Sequence, residues 1–284
     1  MEVVTRIPEL KARLAKARQA ERRIGFVPTM GYLHEGHLSL MRRAKAENDL
    51  VVASIFVNPI QFGPQEDFAS YPRDLARDSR MAEQAGVDIL FVPAVEEMYS
   101  RGHENLLTSV EVSRVSQGLC GASRPGHFRG VATVVTKFFH IVQPDTAYFG
   151  QKDAQQVVVI RRMVEDLNLD VRVIAAPIVR EADGLAMSSR NVYLNPAERQ
   201  AALVLSRSLA QAESLLRGGE RNGAAIARAV RGIILQEPLA SIDYIAVVNP
   251  DDLAELQTIE TSVLVALAVR IGKTRLIDNL LWEE

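Results

Sequence analysis

The residues best placed by type and spacing to do chemistry are His34 and His37. They lie in the run Pro28-Thr29-Met30-Gly31-Tyr32-Leu33-His34-Glu35-Gly36-His37. That run follows a short apolar stretch, residues 24–27, and opens an amphipathic one beginning Leu38-Ser39-Leu40-Met41. A strand, a glycine turn and a helix start are therefore expected in one unit. Helix N-termini carry N–H groups without intrahelical partners and a partial positive charge, so phosphates collect there. Imidazoles three residues apart lie on one helical face and can address the same anion. Zinc is the competing reading, but the metalloprotease pattern His-Glu-x-x-His needs one more residue between the histidines. Cys120 is the only cysteine, which excludes a cysteine-based zinc cluster and an intrachain disulfide. Helix capping explains either histidine alone; the pair beside a glycine turn favours phosphate.

Further stretches have anion-binding chemistry. Ala186-Met187-Ser188-Ser189-Arg190-Asn191 offers two hydroxyls and a guanidinium that can meet phosphate oxygens bidentately. Taken alone this loop reads better as a surface turn; beside the histidine motif the anion-binding reading gains. Phe149-Gly150-Gln151-Lys152-Asp153-Ala154-Gln155-Gln156 again runs from a strand end into a helix. There Gly150 permits close backbone approach, Lys152 supplies charge and Asp153 accepts from ribose hydroxyls, although a capped helix with a solvated lysine competes. In Asn58-Pro59-Ile60-Gln61-Phe62-Gly63 buried amides suit a carboxylate or hydroxyl substrate. The basic loop Ser123-Arg124-Pro125-Gly126-His127-Phe128-Arg129-Gly130 suits an anion or simply solvent.

The elements that must position these residues alternate along the first part of the chain. Residues 24–27, 50–57, 89–92, 146–149 and 171–175 are short runs rich in branched residues, as in strands buried on both faces of a parallel sheet. Helical patterns lie between or beside them at 38–46, 75–85, 131–142 and 154–167. The basic N-terminal stretch from Lys11 to Arg23 is spaced like the solvated face of a helix. Such alternation argues an α/β, Rossmann-like doubly wound parallel sheet, whose ligands gather at the carboxyl ends of the strands. The character changes near residues 176–184. Residues 196–217 read as a long alanine-leucine helix, with Asn195 as N-cap, Pro196 at the first position and Gly218-Gly219 ending it. A helix at 224–236 and strands at 242–248, 262–269 and 275–278 complete a smaller α+β unit. The expected division is 1–178 and 179–284. The run 50–57 suits a core or an interface equally.

Composition bounds the class. The chain has 284 residues, 48% hydrophobic and 24% charged, which is ordinary for a globular enzyme with a sizeable core. With a net charge of -2 and no concentrated basic run, a nucleic-acid partner is disfavoured. The first residues lack an apolar signal core and no apolar stretch approaches membrane-spanning length, so the expected location is cytoplasmic.

The segment PTMGYLHEGHLSL resembles the HIGH-type nucleotide motif of class I aminoacyl-tRNA synthetases and small nucleotidyltransferases. Together with NPIQF, YPRD, ASRPGHFRGV, FGQKDAQQ and GLAMSSRN, in that order, and RLIDN near the end, the chain resembles the pantothenate synthetase (pantoate–β-alanine ligase) family. MSSRN stands where the synthetases carry KMSKS. Ala154 departs from the family, whose members often have an aromatic there. The resemblance implies ATP-dependent condensation of (R)-pantoate with β-alanine through a pantoyl adenylate, releasing AMP and pyrophosphate. It implies ATP contacts from Met30, Gly31, Tyr32, Leu33, His34, Glu35, Gly36 and His37. Gly150, Gln151, Lys152 and Asp153 would meet ribose and phosphate, Val179 the adenine through its backbone, and Met187, Ser188, Ser189 and Arg190 the phosphates. His37, with His34, would be catalytic. Gln61 and Gln156 would hold pantoate, with Gln61 also near β-alanine. Magnesium is expected with ATP; its ligands are unknown, with Asp78 one possibility. A homodimer is implied as well. The rivals are a nucleotidyltransferase that stops after moving a nucleotidyl group, and a nucleotide sensor without catalysis.

Overall fold

The structure is a computed structural model that describes residues 1–64 and 66–284. Its strands are β1 (Glu2–Val4), β2 (Ile24–Thr29), β3 (Leu50–Ile55), β4 (Ile89–Phe91), β5 (Thr146–Gly150), β6 (Arg172–Ala176), β7 (Ala240–Val248), β8 (Ser262–Ile271) and β9 (Thr274–Glu283). Its helices are α1 (Ile7–Gln19), α2 (Glu35–Glu47), α3 (Leu75–Gln84), α4 (Val95–Met98), α5 (Cys120–Ser123), α6 (His127–Val142), α7 (Ala154–Asp166), α8 (Pro196–Arg217) and α9 (Gly223–Ile234). The chain forms two compact units. The first comprises Met1–Ser113, Arg124–Gly150 and Val159–Ala176; the second comprises Arg114–Ser123, Gln151–Val158 and Pro177–Glu284.

The first unit is built on a sheet ordered β1-β4-β3-β2-β5-β6, and its strand pairs are parallel. Successive side chains on a strand point to opposite faces. On β2, Val27 joins Leu40, Met41 and Ala44 of α2 and Ala82 of α3 in one buried cluster. Its neighbour Phe26 faces the other way, with its ring 5.5 Å from that of Phe138 on α6. Phe138 also meets Phe91 of β4 at 6.4 Å. Helices thus cover both faces, which is why the strands read as continuous apolar runs. β3 lies in the middle of the sheet with Val51, Val52 and Ala53 fully buried, so this run belongs to the core.

Strand order reverses at β2, which pairs β3 on one side and β5 on the other. Crevices at such a reversal, at the carboxyl ends of the strands, are where doubly wound sheets bind ligands. The histidine turn leaves β2 at that edge and Gly150 ends β5 there.

In the second unit β7, β8 and β9 form an antiparallel sheet. Leu205, Leu209 and Leu216 of α8 and Ile226, Val230 and Ile234 of α9 bury one face with Val265, Leu267 and Leu276. The Asn195 cap is as expected: its Oδ1 accepts from Glu198 N–H at 2.9 Å, and Glu198 accepts from Asn195 N–H at 3.0 Å. Ala154 packs with Val248, Leu264 and Ala266.

Several boundaries differ from expectation. β1 was not anticipated, because three residues show no periodicity; its place is set by pairing with β4. β9 continues to Glu283, beyond the expected end at 278. Asp and Asn are depleted in strands, so the strand pattern weakens at Asp278-Asn279, where the expected run ends. Here both side chains are buried and hydrogen-bonded, and the strand runs through them. Among the described residues, no helix is long and apolar enough to cross a membrane.

Candidate active site

The turn after β2 is set by its backbone. Gly31 has φ 82° and Tyr32 φ 49°, both left-handed, a conformation that costs a non-glycine residue free energy. Several contacts offset that cost. Thr29 Oγ1 donates to Ser54 C=O at 2.6 Å and accepts from Gly31 N–H at 3.1 Å. Asp78 of α3 accepts from Tyr32 N–H at 2.6 Å and Leu33 N–H at 2.8 Å, one on each carboxylate oxygen. Arg77 donates to Leu33 C=O at 2.8 Å, and its guanidinium lies 5.0 Å from the centre of the Tyr32 ring. Asp78 is only 1% exposed. Burial raises its pKa, and the Leu33 and Tyr32 N–H groups offset only part of that rise. These bonds make Asp78 a strap for the turn and a poor magnesium ligand. Among the described residues, no group of three or more His, Cys, Asp or Glu is arranged to hold a metal ion.

The strap presents His34 and His37 at the mouth of α2. His34 is the N-cap, extended at φ -139°, and His37 is the third helical residue. Their rings lie 4.0 Å apart, centre to centre. His37 N–H and Leu38 N–H both close back on His34 C=O, at 2.8 and 3.1 Å. His34 N–H donates to His37 Nδ1 at 3.3 Å. An accepting Nδ1 puts the proton of the neutral ring on Nε2, which is then a donor. His37 thus presents a donor at a positively polarised helix end, with the His34 ring beside it. Glu35 is exposed and ion-paired with Arg42, which tempers its charge beside the site.

Gln61 lies in the first unit on the 3-10 turn Pro59–Gln61, and its amide is held in one orientation. Buried Tyr99 donates to Asn58 Oδ1 at 2.7 Å, and Asn58 Nδ2 donates to Gln61 Oε1 at 3.0 Å. Gln61 Nε2 donates to Met30 Sδ at 3.0 Å. Burial pushes the Tyr99 phenol far up, so it remains a donor at any working pH. A Cβ on Gly130 would meet Gln61 Cα at 2.7 Å, so α6 packs backbone to backbone against this turn. Asn58 Nδ2 also reaches Gly130 C=O at 3.2 Å.

The basic loop carries one further brace. Arg124 donates to His127 Nε2 at 3.0 Å, which leaves Nδ1 as the donor to Gln61 C=O at 2.9 Å. Arg124 also pairs with Glu66 through two bonds of 2.7 Å. Burial alone would raise Glu66, but the Arg124 hydrogen bonds outweigh it and hold the carboxyl below its ordinary value. A depressed folded-state pKa stabilises fully above the unfolded value, and that contribution is lost as pH falls through the folded one. Wild type should therefore exceed Arg124→Leu by about 1 kcal/mol near neutrality. Part of that gap should close below about pH 4, in unfolding midpoints measured against pH.

The remaining candidates lie in the second unit, apart from Gly150, which ends β5 in the first. Gln151, Lys152 and Asp153 form a half-buried 3-10 turn at the start of α7, with Lys152 Nζ 3.8 Å from Asp153. The adjacent glutamines separate by role. Gln155 is buried, donates to Val115 and Gly118 carbonyls at 2.9 and 2.8 Å, and accepts from Cys120 N–H at 2.9 Å. Gln156 is half-buried. Val179 C=O accepts from Met187 N–H at 3.0 Å, closing a hairpin around Gly184 (φ 93°). Ser188 caps the 3-10 turn Ser189–Tyr193 by accepting from Arg190 N–H at 3.2 Å. Arg199 pins this hairpin through Glu181 at 2.8 Å and Asp183 at 2.6 Å.

Arg77 and Tyr99 support the candidate site without any sequence signal for it, whereas Asp78, expected at most as a magnesium ligand, and Asn58, expected as a substrate-facing amide, are turned inward as braces. Asp78 had a legible signal: it is an acid on the apolar stripe of α3, in line with Ala82 and Ala85.

The chain is similar to known proteins along nearly its whole length. The family model described as pantoate-beta-alanine ligase matches residues 2–281. A pantothenate synthetase from Heliobacterium modesticaldum is 62% identical over 283 residues, covering 100% of both chains. The crystal structure of pantothenate synthetase from Thermus thermophilus superposes with a TM-score of 0.93 at 49% identity, covering 99% of each chain. A pantoate-beta-alanine ligase from Francisella tularensis, crystallised with beta-gamma ATP and beta-alanine, gives a TM-score of 0.78 at 34% identity. That match covers 99% of this chain and 97% of the other.

Proposed function

The chain belongs to the pantoate–β-alanine ligase family, an enzyme family, and from that premise we propose how its residues carry out the ATP-dependent condensation of (R)-pantoate with β-alanine. A carboxylate acylates poorly because it would have to expel oxide. Attack of the pantoate carboxylate oxygen on the α-phosphorus of ATP breaks the α–β bridge, giving pantoyl adenylate and pyrophosphate. The amine of β-alanine then attacks the activated carbonyl, expelling AMP and leaving pantothenate. Negative charge builds on the α-phosphate oxygens and on departing pyrophosphate, so fixed donors aimed there speed the first step.

His37 is the principal donor in this reading, through Nε2–H, with His34 beside it. The turn from Met30 to Gly36 lines the ATP site. Gly150, Gln151, Lys152 and Asp153 contact ribose and phosphate, Val179 the adenine, and Met187, Ser188, Ser189 and Arg190 the phosphates. Gln61 and Gln156 hold pantoate, and Gln61 also lies near β-alanine. The amine of β-alanine loses its proton to solvent, without a dedicated base. Magnesium accompanying ATP would supply charge neutralisation for the departing pyrophosphate, with no residue of this chain assigned to hold it. The division of labour follows residues 1–178 for ATP and pantoate and 179–284 for the Met187–Arg190 loop, in a cytoplasmic homodimer.

The observation that carries this reading is the histidine pair at the N-terminus of α2, at the carboxyl end of β2 where strand order reverses. Pyrophosphate exchange into ATP that depends on pantoate, followed by pantothenate formation on adding β-alanine, tests it. Exchange without pantothenate would favour a nucleotidyltransferase; ATP binding without exchange would favour a sensor.

Gln156→Ala should raise the pantoate KM by about 10- to 100-fold with a smaller change in the ATP KM, since it removes a hydrogen bond to the substrate. An unchanged pantoate response in initial-rate assays would remove Gln156 from the site.

A further inference from the structure

The motif RLIDN ends in two polar residues that nothing in the proposed reaction uses. Asp278 and Asn279 are 2% and 3% exposed, in the middle of a strand. Adjacent strand residues face opposite sides of the sheet, and each of these two meets a different loop. Asn279 Nδ2 donates to Gln151 C=O at 2.9 Å and to Lys152 C=O at 3.0 Å. Its Oδ1 accepts from Gln151 Nε2 at 3.4 Å. Asp278 takes a bidentate pair from Arg180, at 2.6 and 3.0 Å, and accepts from Asn279 N–H at 2.8 Å. Arg180 also donates to Gly184 C=O at 3.1 Å and bridges Ala186, the residue that leads into Met187. One dipeptide therefore anchors the turn carrying Lys152 and the base of the hairpin carrying Ser188, Ser189 and Arg190.

We propose that Asp278 and Asn279 are positioning residues for adenylation, a two-faced strut that holds Lys152 and the Met187–Arg190 loop in fixed places for the phosphates of ATP. The inference rests on the reading that these residues bind ATP. The two bonds that Asn279 Nδ2 donates end on backbone carbonyls, so its amide sets where the Lys152 side chain starts without touching a substrate. Burying a carboxylate and an amide is costly unless every polar atom is paired, and here each finds partners on the two loops. An apolar pair would suit the strand but would leave both loops without their anchor.

The test measures ATP affinity by titration calorimetry and the two KM values by pyrophosphate exchange. Asn279→Ala should weaken ATP binding by about 10- to 100-fold, as displacements of about an ångström do. The pantoate KM should stay within about twofold. In a Lys152→Ala background the same substitution should add little, because groups acting through one another are not additive. Asp278→Asn should likewise be non-additive with Arg190→Ala and nearly additive with Lys152→Ala. If Asn279→Ala does not fold, Asn279→Asp keeps the shape and turns both donors into acceptors aimed at carbonyls, and it should show the same pattern. Unchanged ATP affinity, equal rises in both KM values, or full additivity with Lys152→Ala would overturn the strut. Undiminished ATP binding in Lys152→Ala alone would instead overturn the assignment of the ATP site.

Discussion

The His37→Ala variant should lose about two to four orders of magnitude in pantoate-dependent pyrophosphate exchange while keeping its fold. The size of the effect follows from placement. His37 sits in the first turn of α2, where the helix dipole already favours an anion, and its Nδ1 is engaged by His34 N–H at 3.3 Å. That places the proton of the neutral ring on Nε2, the donor this reading aims at the phosphate. Alanine is a good helix former, so α2 should persist and the loss should fall on rate rather than stability. His37→Gln restores a donor at a similar reach and should recover part of the activity. Exchange near the wild-type rate in the alanine variant would end the case for His37 as the principal donor.

Asp78→Ala is expected to damage both stability and rate. The substitution strips the acceptor from Tyr32 and Leu33 N–H, at a cost of about 1–3 kcal/mol for each donor left buried. It also frees Tyr32 from its left-handed conformation, so the turn should relax and carry His34 with it. A displacement of about an ångström at the histidines costs about 100-fold in exchange rate. Asp78→Asn keeps one acceptor but turns a donor toward the other N–H, so it should fall between wild type and alanine. Calorimetric melting and exchange kinetics on the two variants would check this ordering. A fully active, normally stable Asp78→Ala protein would show that the strap is dispensable.

Much of this molecule is local and therefore legible in the chain. The branched runs, the glycine turn and the stripe of α2 need only neighbouring residues, and they yield the parallel sheet and the histidine pair at its edge. The same holds for α8, whose start is written in Asn195, Pro196 and Glu198 and whose end is written in Gly218 and Gly219. What stayed hidden is non-local. Asp78 lies 45 positions from Leu33, and Asn279 lies 127 positions from Lys152. The adjacent Gln155 and Gln156 look alike as residues, yet burial and three hydrogen bonds commit the first to holding residues 115–120. Asp278 and Asn279 look like the end of a strand until Arg180 and the carbonyls of residues 151 and 152 satisfy them. Side-chain periodicity reports which face of an element is buried; it carries no record of which distant polar group meets a buried one. Local sequence thus fixes where the histidine pair sits, and folding fixes which buried polar groups hold that turn in shape.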